Sequence, residues 1–237
     1  MSRPALGRYT GRFPASVGRA VANSHTAVRQ HGARRQALRA RGWGQANACQ
    51  PFMPPETWHE PKEGEQGYRI IVEPAGEGYR HVVTPDEVRA RLAQLPESFI
   101  KPLRVVHLSK MTRKKRGMPL YGMQWGSALY LYPMELSLVE SYDSPPKPAQ
   151  MNEARMFGGD WQQADRGQWR LVWTPEALRD FYLNNILIHE LGHLLDERNT
   201  RTIDRERYAE WFATEYGYRP TQAQRQARRR PVVSRHG

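Results

Sequence analysis

One cysteine, Cys49, occurs in 237 residues. A single thiol excludes an intramolecular disulfide framework and fits a reducing compartment. No run approaches eighteen apolar residues, which excludes a transmembrane helix, and the N-terminus lacks the apolar stretch of a secretory signal. The expectation is a cytoplasmic protein with no membrane span. Acidic residues are missing from both ends: residues 1–45 hold nine Arg and no Asp or Glu, and residues 219–237 hold six Arg and none. The formal charge of +12 points to a nucleic acid or acidic surface as partner. Yet residues 46–218 carry 21 basic against 24 acidic side chains, so the excess belongs to the ends. The acid-free N-terminus would also suit an organelle transit peptide.

Residues 1–66 are rich in Gly, Pro and Arg without a helical or strand period, and read as a basic disordered tail, with a short basic helix over Ala33–Arg41. A domain is expected over 67–218, and a second basic disordered tail over 219–237. Arg69–Val72 and Tyr79–Val83 flank the turn-rich Glu73–Gly78 and read as a hairpin. Thr84-Pro85-Asp86-Glu87 starts a helix to about Gln94. Leu103–Leu108 and Ala128–Tyr132 read as strands, the basic run Lys110–Arg116 as a solvated loop, Tyr142–Gln168 as a long surface loop, and Trp169–Trp173 as a strand. Thr174-Pro175-Glu176 starts a helix running to about Glu197, and Asp204 caps another that Gly217 stops.

His189-Glu190-Leu191-Gly192-His193 falls inside the first of these two helices. Four residues make slightly more than one turn, so His189 and His193 project from one face within reach of one ion, with Glu190 beside that face. Two neutral imidazoles and a third protein donor hold a Zn²⁺, and an open position holds a water that the glutamate deprotonates. Roughly 0.02 such matches are expected by chance in a chain of this composition. Placement in a capped amphipathic helix makes accident rarer still. Candidates for the third ligand are Asp196, Glu206, Glu210 and Glu215. Asp196 fits better as an acceptor for an imidazole N–H. Glu206 and Glu210 lie one turn apart. Glu210 is preferred, because its longer connection lets the second helix come alongside the first.

The stretch His189 to Asp196, followed by Glu210-Trp211-Phe212-Ala213, resembles the glutamate-liganded zinc metallopeptidases called gluzincins, in particular their anthrax lethal factor-like and Mlc titration factor-like branch. The resemblance covers residues 185–216. It implies His189, His193 and Glu210 as metal ligands, Glu190 as general base, a protein or peptide substrate, and a zincin-like α+β fold: a small twisted mixed sheet, an active-site helix and a following ligand-bearing helix. A competing alignment with Glu-x-x-Ala-x-x-Phe-Ala metallopeptidases makes Glu206 the ligand. The resemblance further implies an edge strand beside the active helix that pairs with substrate, for which Ala128–Tyr132 is the candidate, and a Tyr or His near the metal, for which Tyr208, Tyr216 and Tyr218 are available.

Asn185, one turn before His189, could line the cleft. Trp125, Trp161, Trp169 and Trp173 could form an aromatic substrate pocket or pack in the core. Cys49 could act as an inhibitory thiolate. A second class of function, a nucleic-acid-binding or scaffold protein, would use the Arg-rich tails and hold zinc structurally or not at all.

Overall fold

The computed structural model describes residues 54–59, 64, 66–117 and 120–229. The readings that fall on 1–53 and 230–237, among them the Ala33–Arg41 helix and Cys49, lie outside the described residues. In chain order the elements are β1 (Arg69–Val72), β2 (Tyr79–Arg80), α1 (Pro85–Leu92), α2 (Glu97–Ile100), β3 (Val105–Leu108), α3 (Arg113–Gly117), β4 (Gly122–Trp125), β5 (Ala128–Leu131), β6 (Met134–Glu135) and β7 (Val139–Tyr142). There follow α4 (Pro148–Phe157), β8 (Asp160–Gln163), β9 (Trp169–Val172), α5 (Pro175–Phe181), α6 (Leu187–Leu195), α7 (Thr202–Phe212) and α8 (Arg219–Arg229).

The class is mixed α+β. A four-stranded sheet has the order β1-β3-β5-β4, with β1, β3 and β5 parallel and β4 antiparallel to β5. All residues of β3 and β5 are buried, as expected of central strands covered on both faces. Val106, Leu108, Leu129 and Leu131 enter the main core with Leu187, Ile188 and Leu191 of α6 and Val88 and Leu92 of α1. The alternate residues Val105, Ala128 and Tyr130 face the other side with Met123 and Tyr132. Over that side lies the segment from residue 54 to 59, tied by the Tyr130 hydroxyl donating to the Thr57 carbonyl at 2.9 Å and by His59 Nε2 at 3.2 Å from His107 Nδ1. A three-stranded antiparallel sheet, β7-β9-β8, completes the frame.

Several expectations are corrected. The hairpin does not form: β1 pairs in parallel with β3, matching Ile70 with Val106, whereas β2 pairs antiparallel with β6. Pairing β1 along β3 in the larger sheet wins over the local turn. The long loop over 142–168 contains α4 and β8; Pro148, which reads as loop, stands in the first turn of α4, where a proline costs no hydrogen bond. The basic run contains α3, and Lys115 is buried with its ammonium 4.3 Å from the Tyr132 ring centre. Gly217 does not stop the second helix, and residues 219–229 are helical, with Thr221 and Arg225 buried. The capping box that starts α1 and the Thr174 cap of α5 are as the sequence predicts: Glu87 N–H donates to the Thr84 hydroxyl at 3.3 Å, and Ala177 N–H to that of Thr174 at 3.1 Å.

Candidate metal centre

α5 and α6 are joined by a π-helical turn, Tyr182–Ile186, and α7 and α8 by another, Ala213–Tyr218. Such wide turns recur at functional sites because they rotate the following residues relative to the preceding ones. The two turns pack on each other, and Gly217 makes the contact possible: a Cβ there would lie 2.0 Å from the Asn184 carbonyl oxygen. Arg225 of α8 fixes the arrangement, donating to both oxygens of buried Asp180 at 2.8 and 3.0 Å. Asp180 in turn accepts from the Asn184 side chain at 2.7 Å. A bidentate pair with its remaining lone pairs occupied is the arrangement in which burial of two charges is tolerated.

On this base α6 presents His189 and His193, whose Nε2 atoms stand 3.1 Å apart. The carboxylate that α7 brings to them is that of Glu206: Oε2 lies 3.5 Å from His189 Nε2 and Oε1 3.5 Å from His193 Nε2. These three ligand atoms are within 4.8 Å of one another, a grouping that includes neither Glu210 nor Asp196. The structure groups Glu206, rather than the expected Glu210, with the two histidines. The connection turns within a few residues after Leu195, so α7 begins at Thr202, and its first face to meet the histidines carries Glu206. Glu210, one turn further along, lines a cavity with Glu153 and Asn185. Asp196 does not reach a histidine; Oδ1 accepts the Asn199 backbone and side-chain N–H groups at 3.1 and 3.0 Å, closing the turn that returns the chain to α7.

The donor set suits an ion held by three protein atoms. His189 Nε2 and His193 Nε2 are 3.1 Å apart, each stands 3.5 Å from a different oxygen of Glu206, and one donor atom from each residue lies within 4.8 Å of the others; imidazole nitrogen and carboxylate oxygen are donors that Zn²⁺ takes. Electrostatics agree. Burial would raise the Glu206 carboxyl, but hydrogen bonds from both histidines hold it down to about 2. Burial opposes charge on His189, and Glu206, Glu190 and Glu153 outweigh it, so its pKa rises. Glu190 is 8% exposed; burial raises its pKa against the pull of His189 and His193.

β4 runs along α6, and Glu190 accepts a backbone hydrogen bond from Gln124. Gly122 permits the approach, since a Cβ there would stand 2.7 Å from Ile186 Cγ2 and 3.1 Å from Glu190 Oε1. Gly122, after Pro119-Leu120-Tyr121, carries no local sequence signal of a helix lying across it. The strand beside the helix is therefore β4 at the sheet edge, and Ala128–Tyr132 is interior between β3 and β4.

The remaining candidates separate. Asn185 is buried, donates to Glu153 at 2.5 Å and lines the same cavity as Glu210, as does Tyr218. Tyr208 and Tyr216 pack with Trp211 and Phe212. Trp161 and Trp173 line a small cavity of about 30 Å³, whereas Trp125 packs on the far face of the sheet. Among the described residues no helix is long and apolar enough to cross a membrane. Comparison with models of known protein families, with curated proteins and with solved structures returns no match.

Proposed function

We propose that the protein is a zinc-dependent metallopeptidase of zincin-like architecture, with His189, His193 and Glu206 as metal ligands and Glu190 as general base. The observation that carries this reading is the convergence of two imidazoles and one carboxylate, a donor atom of each lying within 4.8 Å of the others, with a buried carboxylate next in sequence to the first histidine. When bound, Zn²⁺ supplies Lewis acidity, polarising a scissile carbonyl and lowering the pKa of a coordinated water. The chain's own part is positional and acid–base. The histidines and Glu206 fix the centre from two helices that approach closely at Gly192, where a Cβ would lie 3.0 Å from Ala209 Cα. Glu190, raised by burial toward the operating pH and held by the Gln124 backbone, takes the proton of the attacking water and returns it to the leaving amine. β4, as an edge strand beside these groups, suits an extended peptide by strand addition.

The test is Glu190→Gln. The variant is expected to bind one zinc per chain, as the parent does, and to lose peptide hydrolysis. Cleavage at the parent rate would refute the mechanism, and a parent chain that binds no zinc would refute the site.

A further inference from the structure

Residues 54–59 lie over the face of the four-stranded sheet turned away from α6, and side chains tie them there. The Thr112 hydroxyl donates to Glu56 Oε1 at 2.8 Å, the Tyr130 hydroxyl donates to the Thr57 carbonyl at 2.9 Å, and His59 Nε2 stands 3.2 Å from His107 Nδ1. Pro55 is buried, His107 is 1% exposed, and the His59 ring stacks on that of Tyr130 with centroids 6.1 Å apart. His107 and Tyr130 are register partners, so the segment crosses the two interior strands, β3 and β5.

The contact between the two imidazoles counts protons. It needs an N–H on one nitrogen and a bare nitrogen opposite. His107 Nε2 stands 3.3 Å from Glu73 Oε2, which favours an N–H at that position. With both rings neutral, His107 Nδ1 is then bare and accepts from His59 Nε2–H. One added proton is accommodated: His107 carries it at Nδ1, His59 changes tautomer to accept at Nε2, and Glu73 balances the charge. A second proton is not, because it sets N–H against N–H and one cation against another.

The surroundings make that second proton decisive. Burial lowers both pKa values from an ordinary 6.5; Arg69 adds to this at His59 and His81 at His107, while Glu73 opposes it at each. Glu73 is also shared with Lys110, whose Nζ lies 3.4 Å from Oε1 and whose backbone N–H donates to Oε2 at 3.3 Å. Tyr130, beside both rings, stays neutral, its pKa pushed up to about 12 by burial. One carboxylate already paired with an ammonium thus serves two imidazoles. The bound arrangement is favoured in full above pH 6.5 and is weakened as pH falls toward the lowered values, since a freed His59 takes up its proton more readily than a docked one.

We infer that residues 54–59 are a pH-released strap: the hydrogen bond between neutral His59 and His107 holds them across β3 and β5, and protonation of both rings frees them and uncovers His107 and Tyr130. The device stands apart from the metal centre, which α6 carries on the opposite face of the sheet.

Trp58, 59% exposed and next to His59, reports on the strap. The full chain carrying 5-fluorotryptophan is titrated by fluorine NMR in the presence of a chelator, with the Trp58 line assigned by its absence in Trp58→Phe. The line is expected to hold one position at neutral and alkaline pH and to move to a second between about pH 6.5 and 5. Over the same interval the His107 ring carbon, silent to a soluble paramagnetic agent at pH 8, should broaden in its presence. In His59→Gln the side-chain amide offers His107 either a donor or an acceptor and takes no proton, so the Trp58 line should keep its pH 8 position throughout. A Trp58 line that does not move in the parent overturns the inference, as does the same transition in His59→Gln. A moving Trp58 line without broadening of His107 means that His59 titrates in place, and overturns it too.

Discussion

Replacing Glu206 with Gln keeps the size of the side chain and removes its charge, which isolates the third donor from the packing of α7. In the metal-free protein the two imidazoles hold this carboxyl at about 2 against an ordinary 4.5. At about 1.4 kcal/mol per unit, the difference favours the ionised form by roughly 3 kcal/mol. Because 28% of the side chain is exposed, solvent screening reduces this to about 2 kcal/mol. Metal affinity should suffer more. Losing a residue that only orients a ligand costs about 10–100-fold, so losing a ligand should exceed roughly 100-fold. Glu210→Gln, one turn away, should cost about tenfold or less. Competition against a chromogenic chelator measures both. If Glu210→Gln weakens zinc more than Glu206→Gln, or if Glu206→Gln binds within threefold of the parent, the assignment of the third donor is wrong.

Metal-free stability should peak on the mildly acidic side. The Glu206 contribution is full above pH 4.5 and is lost as pH falls through about 2, whereas those of His189 and Glu190, both with raised pKa values, are full below 6.5 and 4.5 and are lost as pH rises through their folded values. Thermal melts in chelator from pH 3 to 9 check this, and a melting temperature that climbs steadily from pH 5 to 8 contradicts it. Gly122→Ala should cost about 1–3 kcal/mol and lower kcat more than zinc affinity, because the added methyl meets Ile186 and Glu190 and neither histidine. Equal losses of both would place the glycine's role elsewhere. Gly217→Ala sets a methyl against a backbone oxygen that cannot rotate away and should cost about 3 kcal/mol or more in a denaturant titration; a loss under 1 kcal/mol would show that the two wide turns part easily.

The parts legible in sequence were those whose cause is local. Caps at Thr84 and Thr174 and the histidine spacing on α6 depend on residues within one or two turns, and the structure carries them as read. Whatever depended on residues distant in the chain was harder. Both Glu206 and Glu210 lie on the helix that follows, and choosing between them requires knowing how quickly the chain turns after Leu195. That depends on Asp196 capping Asn199. The parallel pairing of β1 with β3 competes with an adjacent turn that sequence makes conspicuous. The proline-rich approach to α4 hides a helix because Pro145, Pro146 and Pro148 read as interruption until one of them falls in a first turn. The wide turns leave no mark in the apolar period, since each adds a single residue to a helix that otherwise continues.

The Asp180–Arg225 pair has a bearing on how the chain tolerates damage. Asp180 lies at the root of the rod that ends in the histidines, and the cation that neutralises it arrives forty-five positions later, on the helix that continues from the one bearing Glu206. A nick between Phe212 and Arg225 would remove no ligand. It would take from a buried carboxylate beneath the two histidines the guanidinium that bonds both its oxygens, and free the glutamate helix from its far anchor. The protein thus carries, well away from its chemistry, a segment whose integrity the three donors depend on to stay together.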